Sequence, residues 1–203
     1  MKGAVMIKKQ TRKMIVEKSA SIFNQKGYFG AAVSDIMKET GLKKGGIYNY
    51  FESKESLALE AFDYAVFQVE CWFNRQVKDR KTAIEKLFAL VLAYNEYAAS
   101  PPVPGGCPIL NTSVESDDTH PVLRKRAQQA MDRVRHRLMD IVIQAISEGA
   151  IQKEVQPEQV VSILISSFEG ALMMSRLYGD TKYMVQMTDH LRNYLDSIML
   201  NKE

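Results

Sequence analysis

At 203 residues the chain suits one large domain or two small ones, and an apolar share of 46% is enough to build a core. Charged residues make up 25%, as in ordinary globular proteins, and no unbroken apolar run reaches the roughly 18 residues of a membrane span. The opening MKGAVMIKKQTRK is basic but has no apolar stretch behind it, so no secretory leader and a cytoplasmic location are expected. With only Cys71 and Cys107, free thiols in a reducing compartment are expected, although sequence leaves a single bridge between them open.

The net charge of +3 is unevenly spread. Residues 1–57 hold 11 basic and five acidic side chains, leaving the remainder of the chain slightly acidic. A basic end on a mildly acidic body points to nucleic acid at that end, against the plainer reading of a solvated lysine-rich surface.

The chain reads as helical throughout, because apolar residues recur at three- and four-residue spacing and seldom alternate. Thr11 to Lys26 places Ile15, Val16, Ile22 and Phe23 on one stripe and stops at Gly27. Val33 to Thr40 is a second helix, closed by Gly41, and Lys44 to Tyr50 a third. Ser53 caps a fourth that runs to about Val77. Thr82 to Ala98 follows and ends at SPPVPGGCP, residues 100–108, the one Pro/Gly-rich break. A short segment leads to Asp118 or Thr119, ahead of Pro121, where the next helix starts and runs to Glu148. Pro157 opens another, ending at Gly179, and the last spans Lys182 to Leu200. The expected fold is all-α with about nine helices.

Three helices in the first 50 residues, the second and third joined by a tight turn at Gly41, describe a helix-turn-helix. Glycine accepts the left-handed backbone that lets two helices meet at a steep angle. Leu42 and Ile47 would anchor the third helix, leaving Lys43, Lys44, Tyr48 and Asn49 on a face free to enter a major groove.

The stretch TGLKKGGIYNYFESKESL, residues 40–57, resembles the signature of the TetR family of regulators through Gly41, Leu42, Lys44, Gly45, Ile47, Tyr48, Tyr50, Phe51, Ser53, Lys54, Glu55 and Leu57. Upstream, Ile15, Phe23, Gly27, Tyr28, Val33 and Ile36 fit the same pattern, and FEGALMMSRLYGD at 168–180 is similar to the end of the family's penultimate helix. The resemblance implies a DNA-binding head over residues 1–52 and an effector-binding, dimerising body over 53–203. It implies a repressor released from a pseudo-palindromic operator by a small molecule. The alternatives are a DNA-binding dimer with no effector, an activator, or a helical-bundle enzyme. It also implies DNA contacts at Lys43, Lys44, Gly45, Gly46, Tyr48, Asn49, Tyr50 and Lys54. Of these, Tyr48, Tyr50 and Lys54 would hold phosphates, while Asn49 and a lysine read base edges. The sequence departs from the pattern at Ala31-Ala32, where a hydroxyl usually caps the second helix and Ser34 is the substitute, and at Lys43 and Gly46.

For the body, the resemblance implies an effector cavity. The aromatic and sulfur residues Phe67, Trp72, Phe88, Tyr94, Cys107, Met131 and Phe168 are its candidate lining, suiting a small, mainly apolar ligand. The same spacing in most proteins is simple core. Val160, Ile163, Leu164, Leu172, Leu195 and Ile198 in the last two helices are the candidate homodimer face. His120 after Asp117-Asp118 fits helix capping better than a metal site, and no metal or other cofactor is expected. No nucleophile–base pair or phosphate loop suggests an enzyme.

Overall fold

A computed structural model describes residues 2–200, with side chains from residue 6. The described residues form nine helices in chain order: α1 Lys2–Gly30, α2 Val33–Thr40, α3 Lys44–Tyr48, α4 Lys54–Val77, α5 Ala83–Ala99, α6 Pro108–Ser116, α7 Pro121–Ser147, α8 Pro157–Tyr178 and α9 Lys182–Ile198. An isolated bridge between Ile151 and Met199 is the only β pairing among them. Two compact units emerge. The first holds residues up to Val69 together with Val103–Gln128; the second holds Glu70–Pro102 together with residues from Gln129 onward. The boundary expected at residue 52 falls inside the first unit.

In the first unit, the apolar stripes of α1, α2 and α3 converge. Ile15, Val16, Ile36, Ile47, Phe51 and Leu57 form its buried cluster, with Val33, Met37, Leu42 and Tyr50 packed around it. Each such side chain gains about 1.5–3 kcal/mol on burial, and this fixes the angle between the short helices. The left-handed Gly41 (φ 72) makes the turn, as the sequence predicts. α1 begins earlier than Thr11, since its basic N-terminal turns are helical too, and Gly27 interrupts it with φ 74 and ψ 171. Helix α2 starts at Ala32 without a side-chain cap. The carboxylate of Asp35 accepts the Ala32 amide at 2.9 Å, the half of a capping box that needs no hydroxyl at the N-cap. Ser53 caps α4 reciprocally with Ser56: each hydroxyl accepts the other's amide, at 3.0 and 3.1 Å.

The same unit contains α6, where the sequence shows only a short segment between two longer helices. α6 docks on the end of α1 through polar contacts. Asn24 Nδ2 donates to the carbonyls of Pro104 (3.0 Å) and Gly106 (3.1 Å). Asn111 Nδ2 faces Asn24 O (3.0 Å), Asn24 Oδ1 (3.0 Å) and Gly105 O (2.9 Å). Glu115 accepts the amides of Tyr28 (2.7 Å) and Phe29 (3.0 Å), which the break at Gly27 leaves without helical partners.

In the second unit α5, α8 and α9 pack on one another. Leu87, Val91, Val142, Val160, Val161, Leu164, Leu172, Met184, Leu191 and Leu195 are all 1% exposed or less. Val160, Leu164, Leu172 and Leu195 are therefore consumed inside the protomer and leave no surface for a partner, while Ile163 is 37% exposed and Ile198 half-buried. The reason is angular: Ile163 and Leu164 lie about 100° apart around the helix, so one faces in and the other out. By length and composition α8 is long and apolar enough to cross a membrane, with 39% of that stretch buried. Its outward face explains the composition, because Ile163, Met173 and Leu177 stand there exposed. Ser162, Ser166 and Ser167 interrupt the apolar run.

Candidate nucleic-acid interface

Helix α3 has five residues and is held by the single buried anchor Ile47. Around that anchor Lys43, Lys44, Gly45 and Asn49 are exposed, whereas Gly46, Tyr48 and Tyr50 are half-buried. Gly46 turns toward Leu42, and a Cβ there would lie 3.6 Å from the leucine Cβ; nothing lies within 4 Å of a Cβ on Gly45. Tyr50 packs against the Ile15–Phe51 cluster, so its ring serves the core as well as any contact its hydroxyl makes. Among the described residues no ion pair occupies Lys43 or Lys44. By contrast, Lys26 pairs with Asp35 at 2.7 Å and Lys13 with Glu17 at 3.5 Å. The Asp35 carboxyl is held below its ordinary range by the Lys26 hydrogen bond first and the Ala32 amide second.

Lys54, the first residue of α4, places its ammonium 4.6 Å from the centre of the Tyr28 ring. Burial first, then the charge of Glu55 and the nearby Tyr48, pushes the Tyr28 hydroxyl above its ordinary pKa. Arg12 lies over Phe51 at 4.8 Å and pairs with Glu60, tying α1 to the α3–α4 turn. The structure thus gathers Lys43, Lys44, Tyr48, Asn49, Tyr50 and Lys54 into one unit. Tyr28, which fits the family pattern without a contact assigned to it, lies against Lys54 in the same unit.

The residues chosen for a ligand cavity scatter more. Trp72, Tyr94 and Phe168 do meet, and Phe73 and Tyr97, which are not among the expected lining, join them. Tyr94 stacks on Phe168 at 4.3 Å, Phe73 on Tyr97 at 5.4 Å, and Trp72 meets Tyr97 edge-on at 5.6 Å. Helical spacing was the available signal, since Tyr97 follows Tyr94 by three. Burial, and then Glu169, raises the Tyr94 hydroxyl far above its ordinary pKa. Phe88 and Met131 are half-buried in the same unit. Phe67 and Cys107 belong to the other unit. Phe67 is 57% exposed, and the buried Cys107 thiol caps α6 by accepting the Leu110 amide at 3.5 Å. Both cysteines are free. A cleft of about 410 Å³, counting the solvent at its mouth, opens in the first unit among Ala20, Phe23, Asn24, Ala61, Asn111 and neighbouring residues. His120 caps α7, its Nδ1 accepting the Leu123 amide at 3.3 Å, and no group of three or more potential metal ligands occurs among the described residues.

Residues 15–61, the span of this helix-turn-helix, match the family described as bacterial regulatory proteins, tetR family. Residues 83–191 match the tetracyclin repressor-like C-terminal domain. The chain belongs to the TetR family. A TetR transcriptional regulator from Chloroflexus aurantiacus is 40% identical in sequence and superimposes with a TM-score of 0.92, covering 96% of this chain and 98% of its own. An HTH-type transcriptional regulator of Mycobacterium tuberculosis is 29% identical over 191 residues, 91% of this chain and 93% of the relative. The HTH-type transcriptional repressor DhaR of Mycobacterium sp. (strain GP1) is 24% identical over 176 residues, 85% of each chain. This TetR-family protein is a DNA-binding transcriptional regulator.

Proposed function

We propose that this TetR-family regulator is a cytoplasmic homodimeric repressor that leaves its operator when a small, mainly apolar effector binds the C-terminal body. The observation that carries the DNA reading is the outer face of α3, where Lys43, Lys44 and Asn49 stand exposed with no ion pair on either lysine among the described residues. In this reading Lys54, Tyr48 and Tyr50 fix the register on phosphates, and Asn49 with Lys43 or Lys44 reads base edges. Gly45, open on its outer side, admits the DNA backbone, and Gly46 adds no side chain. The test is a mobility shift on the chain's own upstream DNA, titrated with candidate metabolites. Specific binding that a metabolite abolishes is the expected result, and binding without sequence preference would overturn it. A regulator with no effector is the second reading, favoured by the aromatic cluster around Phe168, whose rings already fill the space between them.

Removing the Lys54 charge is expected to weaken all duplexes alike and to flatten the dependence of log affinity on log salt by about 1 per head. Anisotropy titrations of Lys54→Ala across a salt series check this, and an unchanged slope would remove Lys54 from the interface.

The outward stripes of α8 and α9 support dimerisation through these helices. Ile163, Met173, Leu177 and Val185 are 37–68% exposed, an apolar set that lone globular chains seldom leave bare. Leu177→Glu, which buries a charge if the face is covered, is expected to yield monomer by sedimentation at micromolar concentration. Leu172 is already inside the protomer, so Leu172→Ala should lower stability instead of changing oligomeric state. A dimeric Leu177→Glu protein would point to a different interface.

A further inference from the structure

We propose that His120 is a positioning residue for DNA binding: its ring fixes Tyr28, and through Tyr28 the ammonium of Lys54, so that the joint between α6 and α7 is felt at a DNA phosphate. The inference rests on the assignment of Lys54 as a phosphate contact.

Four elements meet at this point. The His120 imidazole stands edge-on to the Tyr28 ring, with centroids 4.7 Å apart and an interplanar angle of 84°. It also lies 6.4 Å from Phe29. Its Nδ1 is occupied by the Leu123 amide at the start of α7, which leaves the ring proton on Nε2. That nitrogen lies 3.4 Å from Glu55 Oε1, and the His120 side chain is only 12% exposed. The imidazole is therefore fixed on three sides, by α7, by α4 and by the aromatic pair that ends α1. Lys54, the neighbour of Glu55, lies over the Tyr28 ring. An ammonium over a ring face is attracted by the negative face of the ring, and its three N–H groups cannot all point at the ring, so donors remain for a phosphate.

Tyr28 cannot drift independently of this joint. Its amide, and that of Phe29, donate to Glu115 near the C-terminal end of α6. Two contacts from the α6–α7 segment, Glu115 on the backbone and His120 on the ring, thus determine where Tyr28 sits. A lysine on the first turn of a helix has four rotatable bonds and costs rotamer entropy to hold in place. The Tyr28 ring supplies the surface against which it is held.

The test is a double-mutant cycle read on random-sequence duplex DNA, for which phosphate contacts suffice and no operator is needed. Lys54→Ala, His120→Asn and the double variant are titrated across a salt series. Asparagine keeps an N-cap acceptor for α7 but removes the ring. His120→Asn is expected to weaken binding about three- to tenfold, in line with a lost cation–ring contact, and to flatten the salt slope by about 1 per head, as Lys54→Ala does. The double variant is expected to lose nothing further. Tyr28→Leu, which leaves His120 and its cap in place, should reproduce His120→Asn. If Lys54→Ala itself has no effect, the phosphate contact fails and the proposal falls with it. If Lys54→Ala weakens binding but His120→Asn and Tyr28→Leu keep the full salt slope, or the losses add independently, the positioning role is overturned while the contact stands.

Discussion

Gly105→Ala is expected to destabilise the protein by about 3 kcal/mol or more. Gly105 has φ +117, a conformation that side chains rarely adopt, and holding a non-glycine residue there costs on the order of 1–3 kcal/mol. A Cβ would also stand 2.6 Å from the carbonyl oxygen of Asn24 and 2.7 Å from its carbonyl carbon. These are backbone atoms near the C-terminal end of α1 and cannot rotate away. Relief requires the 103–107 segment to lift off α1, which breaks the hydrogen bonds between Asn24 and the carbonyls of Pro104 and Gly106. A buried amide left without its partner costs a further 1–3 kcal/mol or so. For a chain of this size each kcal/mol lowers the melting temperature by about 2–4 °C, so a fall of roughly 6–12 °C is expected in a thermal melt. Gly45→Ala is the control. Nothing lies within 4 Å of its Cβ, and the fold should hold or gain up to about 1 kcal/mol from helix propensity. Equal melting temperatures for the two variants would show that the 103–107 segment is not clamped to α1 as described.

Phe168→Ala is expected to cost about 3–5 kcal/mol, the range for removing a large buried aromatic. Phe168 is 7% exposed and touches three other rings: Tyr94 at 4.3 Å, Tyr97 at 5.4 Å and Phe73 at 6.1 Å. Edge-to-face and offset pairs of this kind add about 0.5–1.5 kcal/mol each beyond the burial of their surface. The prediction also separates two roles for the cluster. A ring that only walls an open effector cavity leaves little new void when truncated, and its removal should cost under about 1 kcal/mol. Urea unfolding of Phe168→Ala measures the difference, with the denaturant slope checking that the folded state stays compact. A loss as large as expected means that an effector entering here must part rings that already satisfy one another.

Much of the DNA-binding head follows from the sequence because its determinants are local. The limits of α2 at Val33 and Thr40 and the left-handed turn at Gly41 are fixed by residues within one turn of where they act. So are the cap at Ser53 and the exposure of Lys43, Lys44 and Asn49 around the single anchor Ile47. The signature from Gly41 to Leu57 is contiguous, so the family is legible from the chain alone. Periodicity likewise places the long helices, because an amphipathic stripe is a property of one segment.

What periodicity leaves open is which partner covers each stripe, and there only the tertiary structure decides. Val160, Leu164, Leu172 and Leu195 look, in sequence, as available for a second chain as Ile163 does. The packing of α8 on α5 and α9 takes the first four and leaves Ile163 outside. α6 escapes notice for a related reason. Its nine residues follow a Pro/Gly-rich run and include Asn111, Thr112 and Ser113, poor helix formers on their own. Its order comes from Asn24 and from the amides freed at Gly27, more than 80 residues away in sequence. The same distance conceals the meeting of Tyr28, Lys54 and His120, since no local pattern links them. Short-range propensities determine where helices begin and end. Burial and long-range hydrogen bonding, which depend on the whole folded chain, determine which faces remain for DNA, for a partner and for a signal.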